Sequence, residues 1–400
     1  MRSFWKNLRY LVLLYLVFLF AYASHPDIIA FSRMSGMESG TILSDDILKI
    51  FTLLFFMCLN IRSFIKSGFI VSSLVLYFII IVFFMLVISR YDNFTMLGDL
   101  RSIGICMASV MIGWQFGLSE RKMRFLLLFY ALCIGYVTYM QVTINVGGFE
   151  IADNYLTENK NSLGAMLATG IFCLLFLKAN CGESLFKRLL LVMLMLFFFT
   201  LLLTIRARTA TVAFALMFLY FYYQRYKRKG AFLFLFLGMT IIVSLMLMLF
   251  PLAKEYIRDS FVQNYEGGDL TSGRMERNIA GLKFLSEHLF AGELEADGNF
   301  AWIHNYPLNK WCGFGLFFSF PIILYYFVTL FTTLVRSSRM GTFNIFNAGY
   351  FALLVPFIVS MAEPTYPFGP GTATVFNFIL FGMALRDTYN DRLAAYQDME

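Results

Sequence analysis

The sequence predicts an all-α membrane protein in which about twelve transmembrane helices form a single polytopic domain over residues 1–400. Two observations support this fold class. Of the residues, 59% are hydrophobic and only 14% are charged, with a mean hydropathy of +0.70, whereas a soluble domain needs a more strongly charged surface. Apolar stretches long enough to cross a bilayer also recur from one end of the chain to the other, which leaves no room for a second domain.

The apolar stretches give the predicted spans in order. They cover residues 10–24, 47–61, 69–89, 97–117, 124–144, 162–178, 189–205, 208–224, 231–251, 312–335, 344–362 and 373–385. The basic N-terminus and the apolar run that follows it also fit a cleaved signal peptide. Because many spans come after it, we expect this segment to be retained as the first helix.

The distribution of Lys and Arg predicts which side of the membrane each connection occupies. Short connections rich in these residues alternate along the chain, and they include residues 1–9, 121–124, 178–188 and 225–229. Such connections lie in the cytoplasm, so both termini are expected to be cytoplasmic. The same distribution explains the net charge of +7 without nucleic acid as a partner. The outer side then carries the long connections, above all a large, partly helical loop over residues 252–311 between the ninth and tenth spans.

Several kinds of chemistry find no support in the sequence. The six cysteines lie mostly in apolar runs without paired spacing, which argues against a disulfide framework or a zinc site. Motifs for ATP hydrolysis or nucleotide-sugar transfer are absent from the chain. The loop acids Glu293, Glu295 and Asp297 can hold a divalent cation, although solvated loop acids are commoner. Glu363, at the outer end of the eleventh span, is a polar group at membrane depth without a predicted role.

The outer connection between the seventh and eighth spans contains two arginines, Arg206 and Arg208, against the expected charge bias. The eighth helix is predicted to begin at about Thr209, which can cap it. Its free N–H groups and its positive dipole end then point to the same place as the guanidinium groups, which indicates a phosphate or diphosphate site. The alternative is a pair of arginines that extend to lipid headgroups.

The segment 271–289 of the large loop is predicted to form an amphipathic helix capped by Ser272 or Thr271. Its apolar stripe consists of Met275, Ile279, Leu282, Leu285 and Leu289. A neighbouring stripe, with Arg274, Arg277, Gly281, Phe284 and His288, presents the two arginines together. The apolar stripe suggests a helix that lies on the membrane or against the helical bundle, and an ordinary solvated cationic face is the alternative for the arginines.

His304 is one of only three histidines and lies between Trp302 and Trp311 at the outer interface. Such a side chain can accept a proton from a sugar hydroxyl or donate a hydrogen bond to a phosphate. The alternative is a structural histidine that caps the tenth helix.

These patterns resemble those of the O-antigen polymerase and O-antigen ligase superfamily of bacterial envelope-polysaccharide proteins. The layout is similar over the whole chain, and the motifs are confined to short stretches. Those stretches are Arg208-Thr209-Ala210, Ser272-Gly273-Arg274, His304-Asn305 with Leu308 and Gly315, and Asn159-Lys160-Asn161. Ala207 stands where the family usually has Ser, and the additional Arg206 leaves two candidates for the first arginine.

The resemblance implies a GT-C-like fold and a metal-independent membrane glycosyltransferase that uses no cofactor. It would act at the periplasmic face of the bacterial inner membrane on an undecaprenyl-diphosphate-linked oligosaccharide. The implied catalytic residues are Arg208, Arg274 and His304, and the implied diphosphate- or substrate-binding residues are Arg206, Arg208, Arg274, Arg277 and Asn305. The arginines would stabilise the leaving diphosphate, and His304 would orient or deprotonate the acceptor hydroxyl. Membrane lipids are expected partners, and a polysaccharide chain-length regulator is a possible one.

Three functions remain open at this stage. An O-antigen polymerase joins lipid-linked repeat units, whereas an O-antigen ligase transfers the finished chain to the lipid A core, and both use the same donor. We favour the polymerase because the 48 phenylalanines indicate an AT-rich gene, as polysaccharide clusters often are. The alternative from another class is a flippase or exporter of lipid-linked oligosaccharide, which needs charges along a path through the membrane.

Overall fold

The computed structural model describes residues 2–22, 68, 72, 75–82, 95–146, 160–182, 184–205, 207–226, 273–290, 303–339, 343–369 and 373–397. Its regular elements in these ranges are all helical, as predicted. They are α1 (Arg2–Tyr22), α2 (Thr95–Gln115), α3 (Glu120–Val146), α4 (Lys160–Ala179), α5 (Leu185–Thr204), α6 (Arg208–Tyr226), α7 (Arg274–Glu287), α8 (Tyr306–Ser338), a 3₁₀ turn (Ile345–Asn347), α9 (Ala348–Val359) and α10 (Val375–Gln397).

Apolar helices in this part of the chain indicate a membrane protein. Four are long and apolar enough to cross a bilayer: Glu120–Thr143, Lys160–Ala179, Leu185–Thr204 and Ser319–Ser338. Shorter apolar helices cover Asn7–Tyr22, Ser102–Gln115 and Ile345–Val359. The predicted spans 47–61 and 231–251 lie outside the described residues, as does most of 69–89, so the count of twelve stays a prediction.

The central helix of the bundle is α4, in which every residue from Leu163 to Leu177 is buried. It packs against α3, α5, α6 and α9, while α10 packs against α2 and α9. By contrast, α5 has the highest hydropathy of the four candidate spans and leaves large side chains such as Leu185 and Phe186 exposed. Exposed apolar side chains on such a helix are the surface that lipid covers.

Basic side chains join helices at the end of the bundle where α3 begins and α2 ends. Lys122 donates a hydrogen bond to Asn7 at 2.9 Å, which joins the start of α3 to α1. Arg386 in α10 donates to the carbonyls of Trp114 and Gln115 at the end of α2, at 3.1 and 2.6 Å. Guanidinium groups near a helix C-terminus satisfy its free carbonyls and interact favourably with its dipole.

The loop helix α7 packs with a different face from the one its apolar stripe suggests. Gly281 and Leu285 are buried against Ile303 and Cys312, while Met275, Ile279 and Leu282 are exposed. Gly281 belongs to the stripe that carries the arginines, and its missing Cβ lets the helix approach closely. The structure therefore turns the stripe of Arg274 and Gly281 toward the bundle together with Leu285 of the apolar stripe, and it leaves the rest of the apolar stripe exposed.

Candidate functional site

Five segments from different parts of the sequence meet at one end of the bundle. They are the starts of α4, α6 and α7, and residues 303–306 with the turn 360–363 that follows α9. Gly164 of α4 lies against Ala207 and Ala210, so that a Cβ at this glycine would be 2.9 Å from that of Ala210. The N–H of Tyr306 donates to the carbonyl of Ser360 at 2.9 Å. These contacts bring together most of the residues that the sequence singled out.

Arg274 is the best-anchored cation of this cluster. Its Nη1 donates to the carbonyl of Ala362 at 2.9 Å and to Oγ1 of Thr209 at 3.3 Å, and its Nη2 contacts Oε1 of Glu363 at 3.0 Å. The Ala362 carbonyl belongs to the last turn after α9, the negative end of a helix dipole. Since Thr209 lies in the first turn of α6, Arg274 bridges three helices.

Glu363 accepts a second hydrogen bond on the same oxygen, from Nδ2 of Asn161 at 2.8 Å. Its side chain is 12% exposed, compared with 29% for that of Arg274. Burial raises the pKa of Glu363 above its usual value, while Arg274 and the nearby Lys160 oppose this effect. Sequence analysis assigned no role to this carboxylate, although a glutamate at the end of an apolar helix is usually paired with another polar or charged group.

Arg277 and His304 form a second contact, with Nη1 of the arginine 3.4 Å from Nε2 of the imidazole. A guanidinium group has no acceptor, so Nε2 receives the hydrogen bond and the neutral ring carries its proton on Nδ1. Burial, then Arg274, then Arg277 lower the pKa of His304 to about 4. The buried Nδ1 has no hydrogen-bond partner among the described residues. The ring is therefore neutral at pH 7 and keeps one donor unused.

The helix starts at this end correct three predictions. Asn305, not His304, caps α8, because its side chain accepts a hydrogen bond from the N–H of Leu308 at 3.1 Å. Helix α7 begins after Gly273, whose positive φ of 73° suits glycine, so the N-cap is Gly273 and not Ser272 or Thr271, which lie outside the described residues. Thr209 is likewise not a cap: α6 begins at Arg208, and the hydroxyl of Thr209 faces Arg274 instead.

The remaining predicted residues have different outcomes. Arg208 is the first residue of α6 and is partly buried beside Thr209, which puts it next to the Arg274 cluster in the chain. The side-chain amide of Asn305 lies 3.8 Å from Sδ of Met361. Arg206 and the loop acids Glu293, Glu295 and Asp297 lie outside the described residues. Within the described ranges, no group of three or more His, Cys, Asp or Glu side chains is placed to hold a metal ion.

A comparison with models of known protein families finds no match, and a comparison with curated proteins finds no significant similarity. The geometry of the cluster therefore has to support any function by itself. It combines two guanidinium groups, a neutral imidazole and the N-terminus of a helix at one end of an apolar bundle, which together suit an anionic ligand at a membrane surface.

Proposed function

We propose that the chain is a metal-independent membrane glycosyltransferase, an O-antigen polymerase that joins undecaprenyl-diphosphate-linked repeat units at the periplasmic face of the inner membrane. The observation that supports it best is the cluster of Arg274, Arg277 and His304 beside the N-terminus of α6. A diphosphate leaving group needs preplaced positive charge, and an acceptor hydroxyl needs a neutral group that can take its proton.

In the proposed reaction, the acceptor hydroxyl attacks the anomeric carbon of the donor. The bond between that carbon and the diphosphate oxygen breaks, and the electron pair leaves with the lipid diphosphate. Arg274, and with it Arg208 and Arg277, stabilises this developing charge. The proton of the hydroxyl passes to Nε2 of His304, which the bound diphosphate frees by drawing Arg277 to itself.

The depth of the charged groups favours transfer over transport. Among the described residues, Lys310 near the start of α8 is the one buried charged side chain, and the arginine cluster lies at the same end. A flippase needs charges along a path through the bilayer. A ligase would use the same donor groups, so only the identity of the acceptor separates it from a polymerase.

The test is an envelope-polysaccharide gel of a deletion strain complemented with wild type, Arg208→Ala, Arg274→Ala or His304→Ala. The matched control is Arg124→Ala, because Arg124 is an exposed arginine that pairs only with Glu120, within its own helix, among the described residues. Lipid A core with a single repeat unit in the deletion strain supports the polymerase. Bare core with polymer on undecaprenol indicates a ligase, and bare core without polymer indicates a flippase. Full rescue by all three site variants would refute the assignment of these residues to the active site.

A further inference from the structure

We infer that Glu363 is a positioning residue that fixes the direction of the Arg274 guanidinium group toward the leaving diphosphate. The inference rests on the proposed function, because it assigns the group that prepares one of the proposed diphosphate ligands. The inference extends the proposed site to the turn after α9 and to Asn161 of α4.

The contacts of Arg274 show how this positioning works. Residues 362 and 363 are adjacent and supply two acceptors, a carbonyl for Nη1 and a carboxylate for Nη2. Two neighbouring acceptors that match two nitrogens of a planar group restrict its rotation as well as its position. A lysine has a single nitrogen, so it does not offer two donor atoms at this fixed spacing.

The relative depths place Glu363 behind the arginine. The carboxylate is the less exposed partner, at 12% against 29%, so the guanidinium group lies on the more open side. Of the five N–H bonds of an arginine, three of those of Arg274 have an acceptor among the described residues. The remaining donors are Nε and the second N–H of Nη2, and these two nitrogens form an edge of the guanidinium plane that can bind a phosphate side-on.

Asn161 keeps the carboxylate itself in place. Its Nδ2 donates to the same Oε1 that faces Arg274, at 2.8 Å. A carboxylate that accepts from both an amide and a guanidinium group has little freedom to turn. The contacts therefore run from Asn161 of α4 through Glu363, in the turn after α9, to Arg274 of α7. Arg274 is more exposed than Glu363.

The test is a double-mutant cycle on the full chain, purified in lipid nanodiscs, with farnesyl diphosphate as the probe. We expect Glu363→Ala to weaken binding by about tenfold, and to have no further effect when Arg274→Ala is already present, since contacting residues that act through one another are not additive. Glu363→Gln keeps an acceptor oxygen for both partners and should stay within about threefold of wild type. Asn161→Ala should cause a smaller loss by the same route.

Additive losses in the cycle, or a Glu363→Gln variant as weak as Glu363→Ala, would overturn the inference, because either result gives the carboxylate a role that does not pass through Arg274. Thermal unfolding of each variant identifies any that fails to fold, and Glu363→Gln and Asn161→Ala then decide. The gel assay on the same variants separates the two proposals. A non-additive cycle in a protein whose deletion leaves polysaccharide unchanged overturns the polymerase and keeps the positioning role, whereas an additive cycle in a working polymerase does the reverse.

Discussion

Replacing Arg277 by Gln should raise the pKa of His304 from about 4 to no more than about 5. The two guanidinium groups and burial all lower this pKa from 6.5 to about 4, a total of about 2.5, and burial contributes most, Arg274 next and Arg277 least. The least of three causes that act in one direction supplies at most a third of the total, which is about 0.8. Arg277 acts on the ring from close by, since its Nη1 is 3.4 Å from Nε2 of His304.

The measurement is a pH titration of the imidazole signals by two-dimensional NMR, with the chain labelled at its three histidines and His304→Asn used for assignment. Lys283→Gln is the matched control, because it removes one positive charge from the exposed side of the same helix and Lys283 is not one of the charges that lower the pKa of His304. A wild-type His304 pKa near 6.5 would refute the reasoning, since it would mean that neither burial nor the arginines act on the ring. An equal rise in both variants would refute the specific role of Arg277.

The same low pKa has a consequence for stability. In the unfolded chain His304 takes up a proton as the pH falls through 6.5, whereas in the native chain it does so only near 4. The unfolded state therefore binds more protons in this window, and the free energy of unfolding declines as the pH falls from 6.5 to 4. Because the ring is partly exposed, solvent screening limits the loss to about 1 kcal/mol. Chemical denaturation of wild type and His304→Asn across this range checks it, and equal pH slopes would contradict it.

The remaining predictions concern α7 and its arginine. Arg274→Lys keeps the charge but not the paired donors, so we expect a loss of about 10²-fold in polymer formation, measured by turnover in nanodiscs; activity within twofold of wild type would mean that charge alone suffices. Gly281→Val places methyl groups against Ile303, from which a Cβ would be only 2.7 Å away, and should destabilise the docking of α7 by about 1–3 kcal/mol, while the exposed Ala280→Val should not; equal thermal shifts would argue against this packing. A fluorophore at Cys introduced in place of Ile279 should be quenched by brominated lipids more strongly than one in place of the exposed Ala280, which is about 100° further around the helix, since the exposed apolar stripe has lipid as its expected cover; equal quenching would contradict that.

Hydrophobic periodicity predicted the described helices well, but it did not predict their contacts, and capping chemistry did not predict which residues begin α6, α7 and α8. The predicted spans 162–178 and 208–224 coincide closely with α4 and α6, because long apolar runs have little choice of structure in lipid. The loop helix was also expected, yet its packing face was not. A hydrophobic stripe predicts the side that packs on protein only when the other side meets water, and in a membrane protein lipid is an alternative cover for an apolar stripe. The close approach at Gly281 decided the orientation, and one chain alone does not disclose such a long-range contact.

The residues of the candidate site show the same division. The sequence could bring Arg274, Arg277 and His304 into consideration through their residue types and their predicted place on the outer side. It could not show that Glu363 and Asn161 meet at Arg274, since these three residues come from α4, α7 and the turn after α9. Residues of this kind are found from sequence only when their side chains are unusual for membrane depth, and Glu363 met that criterion without indicating a partner.

The polar groups deeper in the bundle support the view that chemistry is confined to one end. Asn377 in the buried part of α10 donates to Oγ1 of Thr169 at 2.9 Å and to the carbonyl of Ala352 at 2.6 Å, which ties α10 to α4 and α9. Uncharged amides and hydroxyls joined in this way hold helices together in lipid and offer nothing to carry a diphosphate past them. Among the described residues, Lys310 near the start of α8 is the one buried charged side chain, so the part of the core below Arg274 that the structure describes is uncharged, and this favours the proposed transfer at the end of the bundle over transport through it.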